Sequence, residues 1–305
     1  MDLSEAISSH LKRFSEFHIE LNSYIKLSVA ALDHLYASSG DPRELSDCIS
    51  DLIVNAGERW TPTKFLNPRL EISNLKSQLT ESAIMRVYSS FDVFLDEING
   101  SYDQYISKSP LVIDDSAYGP KVQQLFSRFD WDIKSIDYLL PVYHFYNTSR
   151  HCVVHRMGKA NKELAELSNH IDFLNAIRTW PTVAPGRQLS PPPKVNDDHK
   201  LDLRPHHAIT YSDVCYRIAS EVNQKLFGMI GREGLVESVA KDHILRCEAL
   251  RYPACKNVYS YLRYILTEEY GVKNIEYPGL RAALEQARIR QICYRKYESM
   301  RADIA

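Results

Sequence analysis

With 305 residues, 44% of them hydrophobic and 25% charged, the chain has material for one large or two modest globular domains. Its formal net charge of −2 excludes a protein that coats nucleic acid by bulk charge, so any such contact has to come from a local basic patch. No apolar run approaches the roughly 20 residues of a spanning helix, and Met1-Asp2-Leu3-Ser4-Glu5 is acidic rather than a basic leader, so no membrane contact and a cytoplasmic location are expected.

Leu3, Ile7, Leu11, Phe14, Leu21, Ile25, Leu32 and Leu35 recur at steps of three and four, which predicts one long amphipathic helix over residues 1–36, ended by Gly40. Asp41 then reads as an N-cap, with Pro42 at the first helical position and Glu44 reaching back as in a capping box, for a helix to about Val54. Trp60-Thr61-Pro62 and Asn67-Pro68 predict a loop over 56–68. A helix from about Asn74 to Ile98 follows, burying Leu75, Leu79, Val87, Phe91, Phe94, Leu95 and Ile98. Ser109-Pro110 and Gly119-Pro120 signal further loops, Lys121 to Phe129 a short helix, and a long helix begins near Pro141. Pro181, Pro185, Pro191, Pro192, Pro193 and Pro205 predict a long loop over about 179–205 that carries Arg187 and Lys194. Ser212 to Met229 is again helical, as is the chain from Leu235, where Gly271 and Tyr277-Pro278-Gly279 separate the last segments. No stretch alternates like a strand, so the fold class is all-α, divided as an N-terminal helical extension (1–69), a helical bundle (70–231) and a C-terminal helical region (232–305).

Motifs narrow the chemistry. There is no P-loop, dinucleotide-binding glycine pattern or G-x-S-x-G elbow, and Cys48, Cys152, Cys215, Cys247, Cys255 and Cys293 form no C-x-x-C pair. The informative stretch runs Asn147-Thr148-Ser149-Arg150-His151-Cys152-Val153-Val154-His155-Arg156-Met157-Gly158. Arg150 offers a permanently charged fork for phosphate oxygens, and five positions on His155 can give or take a proton near neutral pH. The bland alternative is a helix end where Arg150 forms a structural salt bridge and His155 caps carbonyls. His144, His151 and His155 share one side of that helix at spacings that can hold zinc. Cys152, however, stands where a zinc hydrolase carries glutamate, so neither metal nor cofactor is expected.

Arg150-His151-Cys152-Val153-Val154-His155, followed by Arg156-Met157-Gly158, resembles the signature of HEPN domains (higher eukaryotes and prokaryotes nucleotide-binding), over roughly Leu75 to Met229. The commonest form has asparagine after the arginine, where this chain has His151. The resemblance implies a HEPN-like helical bundle with additional N- and C-terminal helices. It also implies a metal-independent endoribonuclease of toxin or antiviral, abortive-infection type, working on single-stranded RNA as a homodimer whose two motifs face each other. On that reading Arg150 and His155 are catalytic. His151 and Asn147, at i+1 and i−3 from Arg150, orient it or touch substrate, and Asp92 is a carboxylate partner for the arginine. Arg156 and Lys159 are weaker RNA contacts, as are Arg288 and Arg290 in the basic last segment, where a solvated or oligomer-contact role is the competing reading. An antitoxin or defence-system protein is a possible partner. The alternative is a non-catalytic HEPN-like dimerisation or nucleotide-binding module that regulates a partner effector. A transcriptional regulator rests only on the basic C-terminal helix and the two-helix arrangement around Gly271.

Arg150 and His155 point about 140° apart on an ideal helix. Their convergence therefore requires either fraying beyond Val154 or two motifs meeting across a symmetric dimer. His206 and His207 are read as solvated loop residues able to reach that dimer cleft.

Overall fold

Apolar steps of three and four do become helices. The computed structural model describes residues 1–57, 64–102, 121–180 and 195–303, and among these residues there are eleven α-helices and no strand. In chain order they are α1 (Ser9–Ala37), α2 (Pro42–Asn55), α3 (Pro68–Ser101), α4 (Lys121–Arg128), α5 (Leu140–His155), α6 (Lys162–Asn169), α7 (Ile171–Arg178), α8 (Pro205–Ala240), α9 (Val258–Glu268), α10 (Tyr277–Gln286) and α11 (Arg290–Ala302). A 3₁₀ turn (Ile133–Ser135) precedes α5, and a π-helical turn (Lys241–Leu245) follows α8. The fold is all-α, and no described helix is long and apolar enough to cross a membrane. The loop signals Trp60-Thr61-Pro62, Ser109-Pro110, Gly119-Pro120 and Pro181 to Pro193 lie outside the described residues, as do Arg187 and Lys194.

Helix starts differ from the sequence expectation for local reasons. Residues before Ser9 are not helical, because the Ser8 hydroxyl caps the Leu11 N–H at 3.1 Å. The segment ahead of it is tied instead to the far end of the chain, Asp2 N–H donating to Lys273 O and Ile7 N–H to Tyr270 O, each at 2.9 Å. Buried Asn223 on α8 completes the anchor, accepting from Ser8 N–H at 2.9 Å and donating to Ala6 O at 2.8 Å. Asp41 does cap α2, accepting from Arg43 N–H at 2.7 Å. Glu44 does not close a capping box, however. The Asp41 N–H donates to the Ser39 hydroxyl at 3.0 Å, and that hydroxyl donates to Glu44 at 2.8 Å.

Helices α1, α3 and α8 form the centre. Phe14 of α1 lies 5.6 Å from both Phe91 and Phe94 of α3, and Tyr143 of α5 meets Phe91 edge-on at 5.7 Å. Segments 1–69, 70–231 and 232–305 all contribute side chains to this one contiguous apolar core. Helix α8 carries the connection. Its axis breaks at Gly231 (φ 64, ψ −169), which gives one arm before the break and a second that runs on into the π-turn.

Candidate functional site

Helix α5 holds the arginine and histidine of the motif. Pro141 sits in its first turn, and Val142, Tyr143, Phe145, Tyr146, Ser149 and Cys152 form its buried face. Ser149 satisfies its hydroxyl internally, donating to Phe145 O at 2.8 Å. The helix stops when Cys152 O accepts from both Arg156 N–H (3.0 Å) and Gly158 N–H (3.1 Å), while Met157 (φ 53) and Gly158 (φ 77) take left-handed conformations. The chain after the turn pairs with residues leading into α8: Ala160 N–H donates to His199 O and Leu201 N–H to Gly158 O, each at 2.9 Å. The motif end of α5 is therefore fixed in place by α8's leading segment.

Arg150 is half-buried, and its Cζ sits 4.0 Å from the ring centroid of Tyr88 on α3. Among the described residues no carboxylate forms an ion pair with its guanidinium. The negative ring face is the stabilising contact instead, of the order of 0.5–2 kcal/mol. Behind it lies Tyr211 of α8, whose phenol is pushed well above its usual range first by burial and then by Cys215, Tyr143 and Tyr88. Arg150 pulls slightly the other way, and the phenol stays neutral.

His151 and His155 lie one turn apart on the exposed side of α5, their ring centroids 4.6 Å apart with planes at 46°. Because α5 stays helical through His155, fraying does not swing this imidazole toward Arg150. Within one copy the two side chains leave the helix about 140° apart. Asn147 is half-buried one turn before Arg150.

Two expected placements are corrected, the carboxylate partner of Arg150 and the loop position of His206 and His207. Asp92 does not partner Arg150. It pairs with Lys121, the first residue of α4, at 2.6 Å, and Asp96 one turn on also faces that ammonium. Burial alone would lower the Lys121 pKa, but these two carboxylates outweigh it and hold it above its usual value. Arg156 is turned toward its own loop, its Nε donating to Lys159 O at 3.3 Å and its Nη2 facing Asp198 at 3.5 Å, while Lys159 is exposed. Arg290 is engaged by Glu285 and by the Tyr259 hydroxyl (2.9 Å), which locks α11 to α9 and α10. Arg288 occupies the left-handed turn between α10 and α11 (φ 57). His206 and His207 lie not in a loop but in the first turn of α8, and His207 is only 2% exposed, its Nδ1 accepting the Arg204 N–H at 2.9 Å. No group of three His, Cys, Asp or Glu among the described residues is placed to hold a metal.

Two residues near the site escaped the sequence reading. Tyr88 lies one turn before Asp92 on the same α3 face, an aromatic where the sequence reading placed a carboxylate partner. Glu81 lies near the turn after α5, since a Cβ at Gly158 would sit 3.5 Å from its Oε1. Neither has a motif signature. Compared with protein-family models, curated protein sequences and solved structures, the chain matches none of them.

Proposed function

We propose that the protein is a metal-independent, HEPN-type endoribonuclease for single-stranded RNA, of toxin or antiviral kind, with Arg150 and His155 as its catalytic pair. The carrying observation is the half-buried Arg150 guanidinium, which rests on an aromatic ring with no ion-pair partner among the described residues, at a helix end that also presents two exposed imidazoles. A purely structural arginine in such a position would gain most from a carboxylate, and α3 supplies Asp92 to Lys121 instead.

Attack of a 2′-hydroxyl on the adjacent phosphorus needs a proton taken from that hydroxyl, charge stabilised on the phosphoryl oxygens and a proton given to the leaving 5′-oxygen. His155 serves the proton transfers and Arg150 the phosphoryl charge, giving a 2′,3′-cyclic phosphate. His151 lies beside His155 and can hold the second proton. Since α5 is intact between Arg150 and His155, the working site is a composite of two copies, each contributing from its own α5 end. The exposed Val154 and Met157 (88%) at that end suit such a contact.

The test is cleavage of single-stranded RNA in chelator. Wild type is expected to cut, while His155→Ala and Arg150→Ala each lose about 10²–10⁴-fold. Equal cleavage by all three removes the proposal. Mixing the two dead variants is expected to restore part of the activity, because one mixed dimer site keeps both groups. Absence of restoration would place the pair in a single copy.

A further inference from the structure

A second polar centre lies away from the α5 motif. A cleft of about 850 Å³ opens between the first turns of α1, the last turns of α3, the π-turn after α8 and the end of α9. Its position on α3, at Glu97 to Tyr102, is about 18 Å of helix from Tyr88, counting Tyr88 to Gly100. The volume is that of a small-molecule site. A π-turn is an uncommon local geometry that tends to mark functional positions, and this one sets Lys241, Asp242 and His243 on the cleft wall.

Its charges are mixed but unevenly used. Glu97 is consumed by Arg13 (2.6 Å) and by His10 Nδ1 (3.1 Å), both on one oxygen. Glu269 accepts from the Tyr252 hydroxyl on one oxygen and from Arg251 on the other, each at 3.0 Å. Asp242 takes Arg246 at 2.9 Å. Arg13, Arg246 and Arg251 each commit a single terminal nitrogen to these carboxylates, out of five N–H donors apiece. Lys12 forms no ion pair among the described residues, and the first turn of α1 has no acidic residue to offset Lys12 and Arg13 against the positive end of the helix. Lysines and arginines outnumber carboxylates on the cleft wall by five to four, while Glu16 and the second oxygens of Glu97 and Asp242 carry no ion pair among the described residues.

His10 and His243 lie within this ring of donors. His10 Nδ1 faces both Glu97 (3.1 Å) and Arg13 Nη2 (3.0 Å), which leaves Nε2 for another partner, and His243 Nε2 is 3.3 Å from the Tyr270 hydroxyl. Burial lowers both imidazoles below their ordinary value despite nearby carboxylates, so an arriving anion has room to raise them.

We propose that this cleft is a ligand site separate from the α5 motif, holding the phosphate group of a phosphorylated small molecule between Lys12 and Arg13 on one wall and Arg246 and Arg251 on the other, with His10 and His243 beside it. Guanidinium forks converging from different elements match phosphate oxygens better than a lone carboxylate.

Inorganic pyrophosphate is the probe, and the histidine ring protons of the full chain, followed by NMR, are the readout. Saturable shifts are expected at His10 and His243, with their titration midpoints raised and the thermal midpoint of the protein increased. Lys12→Glu combined with Arg246→Glu should weaken binding about ten-fold or more, the weight of a lost charge-assisted hydrogen bond. Arg246 is exposed and Lys12 half-buried, and a far-ultraviolet spectrum matching wild type confirms that the variant folds. Overturning results are no saturation at His10 and His243, saturation at His151 and His155 instead, unchanged affinity in the double variant, or malonate binding as tightly as pyrophosphate. RNA cleavage does not enter this readout, so the two proposals stand or fall independently.

Discussion

Arg150 poses the sharpest question at the scale of a single residue, since a half-buried cation without a carboxylate partner among the described residues is there either for packing or for a ligand. If packing is its purpose, the ring contact with Tyr88 and its alkyl stem must contribute measurable stability. If a ligand is its purpose, the protein tolerates the desolvation of a charge for the sake of function. Arg150→Met keeps most of the stem and removes the charge, so it separates the two. The expected result is a denaturant midpoint corresponding to a change within about 1 kcal/mol of wild type, in either direction, because a lost cation–π contact offsets a relieved desolvation penalty. A loss above about 2 kcal/mol would assign Arg150 to the scaffold. Tyr88→Leu removes the ring face that meets the guanidinium and should reduce any activity that depends on Arg150.

Among elements, α8 shows how one backbone position shapes the molecule. Gly231 has φ 64 and ψ −169, a region essentially closed to residues with a Cβ, and the Cβ itself would meet only Glu233 Oε2 at an ordinary 3.5 Å. The cost of Gly231→Ala is therefore backbone strain, about 1–3 kcal/mol, and not a clash. At Gly228, nearly one turn earlier in the same helix, an added methyl group would have nothing within 4 Å of it, so Gly228→Ala is expected to stabilise by up to about 1 kcal/mol. Urea midpoints of the two variants moving in opposite directions check this, and equal shifts would contradict the account of the break. The same elements show what was legible beforehand. The stripe of α3 is buried at Val87, Phe91, Phe94, Leu95 and Ile98 as its periodicity requires, whereas Leu75 is exposed and Leu79 half-buried. Pro68 and Pro205 read as breakers, yet both open helices, because a proline lacks only an N–H that the first turn leaves unpaired. The short helices α6 and α7 and the π-turn carry too few apolar repeats to stand out. Asp92 sat on the right helix, but Lys121 lies 29 positions away in sequence, and no periodic signal links them.

For the molecule as a whole, packing long helices around one core has drawn five histidines partly out of water. Burial lowers the imidazoles of His10, His18, His144, His206 and His243 below their ordinary value. Acidic neighbours resist this at each: Glu97 and Asp242 at His10, Asp213 at His18, Glu163 at His144, Asp202 at His206, and Glu269 and Asp242 at His243. Arg13, Lys26, Arg204, Arg251 and Lys12 work in the same direction as burial. Unfolding returns all five to water, where they bind protons near pH 6.5. Below that value the unfolded chain holds more protons than the folded one, so stability rises with pH through this window and is lost as pH falls toward the folded-state values. The carboxylates with shifted values, Asp2, Glu97 and Glu285, are lowered, and their contribution is lost only at more acidic pH. Urea unfolding at pH 7.5 and pH 5.5 is therefore expected to give a lower midpoint at the acid pH. The double variant His10→Gln/His18→Gln should show a smaller drop, since two of the five proton-binding differences are gone. An unchanged or higher midpoint at pH 5.5 would mean that these imidazoles are not protected from protonation in the folded protein, and the cleft around His10 and His243 would then be more hydrated than its packing implies.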